Sequence, residues 1–259
     1  MTAVSNTRHA TLTDGFPQID FARDALIFDV DGTLLDIADT PDEVDVPSGL
    51  RKDLHTLSRA TNGALAIISG RPIGDIDTRF APLLLPTAGC HGAEMRLQQN
   101  GPVEHGAPPL SPETVSRFKD VPALLPGVIE ENKIYTLAFH YRMAPQQKKP
   151  LLRLLHERLM QLPPGFELLH GKAIAEIKSG AFNKGTALRR FMNEAPFSGR
   201  RPVFFGDDTT DEDAFAALGE FRGLGVSVGR LLPGAQAMIE TPQALREKLS
   251  ILAARHGEE

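Results

Sequence analysis

The stretch Ala25-Leu26-Ile27-Phe28-Asp29-Val30-Asp31-Gly32-Thr33-Leu34-Leu35 joins an apolar run to two carboxylates and a glycine. A buried strand that ends on two acids incurs desolvation and mutual repulsion, costs that only a cation or a reaction would offset. Strand alternation sends Asp29 and Asp31 to one side, and Gly32 lets the chain turn away so that both stay accessible. This arrangement suits a magnesium ion and a phosphoryl group. As a bare pattern, Asp-x-Asp-Gly also fits a polar turn or the start of a calcium loop. The further ligands and closing glutamate of an EF-hand loop are missing, however.

Outward from this stretch the chain alternates. Apolar runs predict strands over 25–30, 64–68, 201–205 and 223–228, with helices over 48–59, 184–192 and 211–218 between them. The rhythm is that of an α/β fold, a parallel sheet flanked by helices on both faces. Ligands of such sheets bind outside the carboxyl ends of the strands. The segments that follow the strands here are Asp29-Val30-Asp31, Ser69-Gly70-Arg71 and Gly206-Asp207-Asp208, all polar and all destined for one edge.

The middle of the chain differs. Pro108, Pro109, Pro112, Pro122 and Pro126 crowd one stretch, and residues 133–141 then read as a strand whose wet face carries Lys133 or His140. A helix over 148–162 follows, then strands over 166–170 and 173–178 with Gly171 and Lys172 as a hairpin-like turn. We assign 101–178 to an inserted α+β domain, 21–100 with 179–259 to the α/β core, and 1–20 to a flexible leader.

Composition narrows the class. The 259 residues are 41% hydrophobic and 24% charged, ordinary for a globular protein. A net charge of -5 offers no field for nucleic acid or an anionic membrane, so neither is expected as a partner, and a bound phosphate needs local cations. Cys90 is the single cysteine, which excludes an intrachain disulfide and fits a reducing, cytoplasmic location. The N-terminus has neither a secretory apolar core nor a membrane span.

Each motif has a chemical reading beside a bland one. If Asp29 is a nucleophile, it attacks phosphorus in line while magnesium neutralises the phosphate oxygens, and Asp31 passes a proton to the leaving alcohol. Ser69 offers a hydroxyl to a phosphoryl oxygen and Gly70 a close backbone, although a Ser-Gly turn with a surface Arg71 is the commoner meaning. Asn183 reads as an N-cap, which puts Lys184 in a first helical turn, against the dipole; an anion must compensate. In Gly206-Asp207-Asp208-Thr209-Thr210-Asp211-Glu212-Asp213, helix capping explains the last acids but not Asp207 and Asp208 at the strand exit. Asp207, with Asp29 and the Asp31 carbonyl, would give magnesium an oxygen shell, supported by Asp208 and Asp211.

Together, Asp29-Val30-Asp31-Gly32-Thr33-Leu34, Ser69-Gly70-Arg71, Lys184 and Gly206-Asp207-Asp208 resemble the four motifs of the haloacid dehalogenase superfamily of phosphohydrolases. The resemblance implies a Rossmann-like core, magnesium, an aspartyl phosphate on Asp29 and acid/base work by Asp31. The insert resembles the C2-type cap of the sugar-phosphatase branch. Ala88-Gly89-Cys90-His91-Gly92-Ala93-Glu94, Glu131-Asn132-Lys133, His140-Tyr141-Arg142 and Ala175-Glu176-Ile177-Lys178 are similar to segments of trehalose-6-phosphate phosphatases, over roughly residues 24–230. By that resemblance Lys133, Glu176 and Lys178 contact a sugar phosphate from the cap, Gly70 and Arg71 bind it from the core, and His91 and Glu94 lie near the mouth. It also implies association with a trehalose-phosphate synthase. A phosphatase of sucrose 6-phosphate or glucosylglycerol phosphate is the alternative enzyme, and a catalytically silent sugar-phosphate binder the alternative class.

Other residues take the bland reading. His55, His105, His156 and His170 lack zinc spacing, Phe204 and Phe205 read as sheet core, Arg189 and Arg190 as a solvated helix face, and Cys90 as a small buried hydrophobe.

Overall fold

The computed structural model describes residues 12–13, 16–37, 46–171 and 173–256. Two short strands, β1 (Leu12–Thr13) and β2 (Phe16–Pro17), lead into β3 (Asp24–Phe28), followed by α1 (Leu50–Ala60), β4 (Leu65–Ile68), α2 (Ile73–Phe80), β5 (Thr87–Gly89), β6 (Glu94–Arg96) and β7 (Glu104–His105). The middle of the chain folds as α3 (Pro112–Ser116), α4 (Val121–Leu124), β8 (Ile129–Asn132), β9 (Thr136–His140), α5 (Lys148–Leu159), β10 (Phe166–Gly171) and β11 (Ile174–Ser179). The chain then continues through α6 (Lys184–Met192), β12 (Arg201–Gly206), α7 (Glu212–Ala217), β13 (Leu224–Val228), β14 (Ala237–Ile239) and α8 (Pro242–Ala254).

The core sheet has the order β14-β13-β12-β3-β4-β5-β6-β7. Its first six strands are parallel, and β6 and β7 extend it antiparallel. All five residues of β3 are buried, as a strand covered on both faces requires. Alternation sends Leu26 and Phe28 to one apolar layer with α1 and α8, and Ala25 and Ile27 to the other with α6 and α7.

A separate four-stranded antiparallel sheet, ordered β10-β11-β9-β8, forms the cap. Leu137, Phe139, Tyr141, Ala175 and Ile177 pack with Phe118, Val121, Leu151 and Leu155 in its own core. Strand alternation and the registers Ile129↔His140, Glu176↔Ala138 and Glu176↔Leu169 put Ile129, Glu131, Ala138, His140, Ile174, Glu176 and Leu169 on the opposite face.

Several boundaries differ from the sequence reading. Phe16 stacks on Phe205 with centroids 5.8 Å apart, and Ile19 and Phe21 pack on the same core, so 16–20 belong to the folded core rather than to a leader. Residues 1–11 of the expected leader lie outside the described residues. Strand β7 keeps Glu104 and His105 on the core sheet, so the crossing into the cap comes later than residue 101. The expected strand over 133–141 begins only at Thr136, because Ile134 takes a positive φ of 72° and breaks the extended run. Gly171 pairs with Ile174, so Gly171 belongs to the strand rather than to the expected turn; Lys172 lies outside the described residues.

Candidate active site

Register brings the motifs together. Phe205 lies opposite Phe28, and the Asp29 amide donates to the Phe205 carbonyl at 2.9 Å, so the residues that leave β3 and β12 are neighbours. Ile67 pairs with Phe28, which sets Ser69 at the same edge. Gly32 has φ +86°, and a Cβ there would collide with the Asp207 carboxylate. Only glycine fits that turn.

Lys184 opens α6. Asn183 caps the helix, accepting from the Thr186 amide at 2.8 Å and donating its own amide to the Thr186 hydroxyl at 2.9 Å. The anion that a first-turn lysine demands is present twice: Nζ donates to Asp29 Oδ1 and to Asp211 Oδ1, each at 2.7 Å. Asp29, Asp207 and Asp211 are buried, and a carboxylate oxygen of each lies within 4.8 Å of the others. Burial pushes the Asp29 carboxyl well up from its usual range; Lys184 opposes that, and the charges of Asp211 and Asp207 add to it. Lys184 is raised, because its two carboxylates outweigh its burial.

This cluster fits a divalent cation: oxygen donors only, on rigid strand exits, with excess negative charge. Asp211 is the interior buttress, since Oδ1 accepts from Lys184 and Oδ2 accepts the amides of Asp207 and Asp208 at 2.9 and 3.0 Å. The carboxylates of Asp31 and Asp208 stand outside it, which leaves the Asp31 carbonyl, the atom expected as a ligand, untouched. The Asp31 carboxylate is taken by Arg71, with Nε to Oδ2 at 2.6 Å and Nη2 to Oδ1 at 2.7 Å. The Asp208 carboxylate caps the following turn through the Thr209 amide at 2.8 Å.

A cavity of about 690 Å³ separates these strand ends from the open face of the cap sheet. Asp29, Asp31, Ser69, Gly70, Arg71, His91, Lys184 and Asp207 line it from the core, and Glu131, Lys133, His140, Arg142, Leu169 and Glu176 from the cap. Glu176 is its most connected cap residue. Oε2 meets His91 Nε2 at 3.1 Å, and Oε1 accepts from the Thr136 hydroxyl and from Lys133 Nζ at 3.4 Å. Lys133 Nζ also reaches the Gly70 carbonyl at 3.4 Å, so the pair spans core and cap. Burial works against the Glu176 charge, but Lys133 and His91 hold its carboxyl below the usual range. Burial pushes His91 down.

Two residues expected to contact the substrate do not line the cavity. Lys178 is 1% exposed and does not line the cavity. Its ammonium binds Glu167 Oε1 at 2.5 Å, donates to the Ser179 carbonyl at 3.0 Å and to the Phe182 carbonyl, and lies 4.8 Å from the Phe182 ring centroid. The chain leaving β11 turns back over it, which makes it the clasp of the cap-to-core crossing. Glu94 is also buried away from the cavity, where its carboxylate accepts the Ile73 amide at 2.8 Å and caps α2. A residue not singled out in the sequence, Asp75, lines the cavity and accepts from Arg71 Nη1 at 2.6 Å. Its spacing of four from Arg71 on a predicted turn was the available signal.

A model of the trehalose-phosphatase family matches residues 27–240. The chain belongs to that family. It is 38% identical over 232 residues to a probable trehalose-phosphate phosphatase of Sinorhizobium fredii, covering 88% of this chain and 87% of that protein. It is 41% identical over 209 residues to the trehalose-6-phosphate phosphatase of Escherichia coli, covering 80% and 78%. In fold it is similar to the C-terminal domain of the C. albicans trehalose-6-phosphate phosphatase, with a TM-score of 0.79 at 24% identity over 90% of this chain and 92% of that one. These relatives make the α/β unit the phosphohydrolase core of the family and the second sheet its cap. Among the described residues no helix is long and apolar enough to cross a membrane.

Proposed function

We propose that this member of the trehalose-phosphatase family hydrolyses trehalose 6-phosphate to trehalose and inorganic phosphate, using magnesium and an aspartyl phosphate on Asp29. The observation that carries the reading is the shared cavity: buried carboxylates and Lys184 on one wall, sugar-binding chemistry in Lys133, Glu176 and His140 on the other. Carboxylates accept from sugar hydroxyls and ammonium groups donate to them.

An Asp29 oxygen attacks phosphorus, and the bond from phosphorus to the sugar oxygen breaks with its electron pair going to that oxygen. The oxygen takes a proton from Asp31, which acts in its protonated form and released from the Arg71 fork, and leaves as a trehalose hydroxyl. Water then attacks phosphorus, gives a proton to Asp31, and frees phosphate while restoring the Asp29 carboxylate. Lys184 stabilises Asp29 and keeps it oriented throughout, and Ser69 and Arg71, which line the same cavity, would donate to the phosphate oxygens. Asp29, Asp207 and the Asp31 carbonyl, with Asp211 behind them, would hold magnesium, which would neutralise charge on the phosphoryl oxygens. In the cell a trehalose-phosphate synthase is the partner that supplies the substrate.

The test is phosphate release from trehalose 6-phosphate, sucrose 6-phosphate, glucosylglycerol phosphate and glucose 6-phosphate, each with magnesium and with chelator. Magnesium-dependent preference for trehalose 6-phosphate is expected. Preference for another sugar overturns the substrate, and activity that survives chelation overturns the metal.

A further inference from the structure

The sheet neighbours of Glu176 are apolar. Ala138 on β9 and Leu169 on β10 stand directly opposite it, and neither side chain can hold a carboxylate. The hydroxyl that does so belongs to Thr136, two residues before Ala138 and therefore diagonal to Glu176 on the same face of the sheet, a separation that a long side chain bridges. Thr136 is wholly buried, and its branched Cβ leaves the hydroxyl few positions to adopt. Of the three side chains that reach Glu176 among the described residues, it alone sits in a strand. His91 comes from the core, and Lys133 precedes β9 and divides its ammonium between Glu176 and the Gly70 carbonyl.

We infer that Thr136 is a positioning residue for sugar recognition: its hydroxyl fixes the Glu176 carboxylate so that one acceptor position, on Oε2, is left for a sugar hydroxyl. The inference rests on the trehalose-phosphatase reading, in which Glu176 binds the sugar. An ionised carboxylate has about four acceptor positions, shared equally between its oxygens. Burial works against the charge of Glu176, and Lys133 and His91 outweigh it, so the group accepts from every partner and His91 donates through Nε2. Thr136 and Lys133 fill the positions on Oε1, and His91 fills half of those on Oε2. Thr136 and Glu176 belong to one sheet, so their contact does not depend on how the cap stands on the core, whereas the contact with His91 does.

The test compares wild type with Thr136→Val, which keeps the shape and removes the hydroxyl, and with Thr136→Ser, which restores it. The readout is kcat/KM on trehalose 6-phosphate and on p-nitrophenyl phosphate with magnesium, each variant being checked by circular dichroism and thermal melting. Thr136→Val should lose about tenfold on the sugar phosphate and less than about twofold on the aryl ester, while Thr136→Ser should come within about threefold of wild type on both. In a Glu176→Ala background the hydroxyl has nothing to position, so Thr136→Val should cost less than about twofold more on trehalose 6-phosphate. The inference is overturned by equal losses on the two esters, by wild-type kinetics in Thr136→Val, by a Thr136→Ser as impaired as Thr136→Val, or by a tenfold loss that persists without the Glu176 carboxylate. If Thr136→Val does not fold, Thr136→Ala against Thr136→Ser decides. A wild type active on p-nitrophenyl phosphate but inert on trehalose 6-phosphate would overturn the substrate alone; the variants would then decide Thr136 on whichever sugar phosphate of the panel above wild type prefers, and activity on none of them would overturn both readings.

Discussion

The strand-end wall of the cavity and its cap wall are built by different rules. On the core side, Asp29, Ser69 and Asp207 arrive together because parallel strands in register must deliver their exits to one edge, whatever side chains follow. On the cap side, position on the open sheet face only permits contact with a ligand. Glu176 and Lys178 share that face, yet Glu176 lines the cavity and Lys178 is sealed under the Phe182 carbonyl and Glu167. Topology alone therefore places chemistry in the core, whereas in the cap local neighbours decide which polar residues remain for a substrate.

The largest effect should come from the core. Asp29→Asn should lower hydrolysis of every phosphate ester by about 10⁴-fold or more while the protein stays folded, and substantial remaining turnover would remove Asp29 as nucleophile. Lys184→Met tests the same wall through stability. It leaves Asp29 and Asp211 buried without their ammonium, so a loss of about 3–5 kcal/mol in urea unfolding should accompany the loss of activity. An unchanged midpoint would mean that the pair is not the strut described here.

Lys178→Met sharpens the contrast within the cap. Loss of its clasp should reduce stability by about 1–3 kcal/mol and leave the KM ratio between sugar and simple esters unchanged. A variant with full stability and a selectively raised sugar-phosphate KM would return Lys178 to the substrate. The smallest effect concerns acid. Glu176 has a folded-state pKa below its ordinary value of 4.5, so its contribution is present above that value and is lost as the pH falls. Below about pH 5, wild type should therefore lose stability more steeply than Glu176→Gln; parallel slopes would show that the carboxylate is not held by His91 and Lys133.

Much of the core was legible because its signals are local. An apolar run ending in Asp29-Val30-Asp31-Gly32 contains its own contradiction, and Lys184 after the N-cap Asn183 contains another. Asp31 was harder: sequence places it beside Asp29, but only tertiary contact reveals that Arg71 occupies its carboxylate. Strands β6 and β7, with three and two residues, are too short for a period of two to emerge. Strand β8 is hidden by Glu130 and Glu131 in its middle, on an edge where charged residues are tolerated. Glu94 and Lys178 satisfy an amide and two carbonyls whose need for partners arises only on folding. Asp75 reads as one more acid on a solvated helix until its partner Arg71 is seen to face Asp31.

The division of labour between the two walls is tested most directly by kcat/KM for trehalose 6-phosphate and for p-nitrophenyl phosphate, measured side by side in wild type and Glu176→Ala with magnesium present. The expected result is a loss of about 10²-fold on the sugar phosphate and less than about threefold on the aryl ester, since the cap carboxylate bonds to His91, Lys133 and Thr136 and to none of Asp29, Asp207 and Asp211. Equal losses on both substrates would contradict the account, because they would make Glu176 part of the chemistry rather than of the recognition of the sugar.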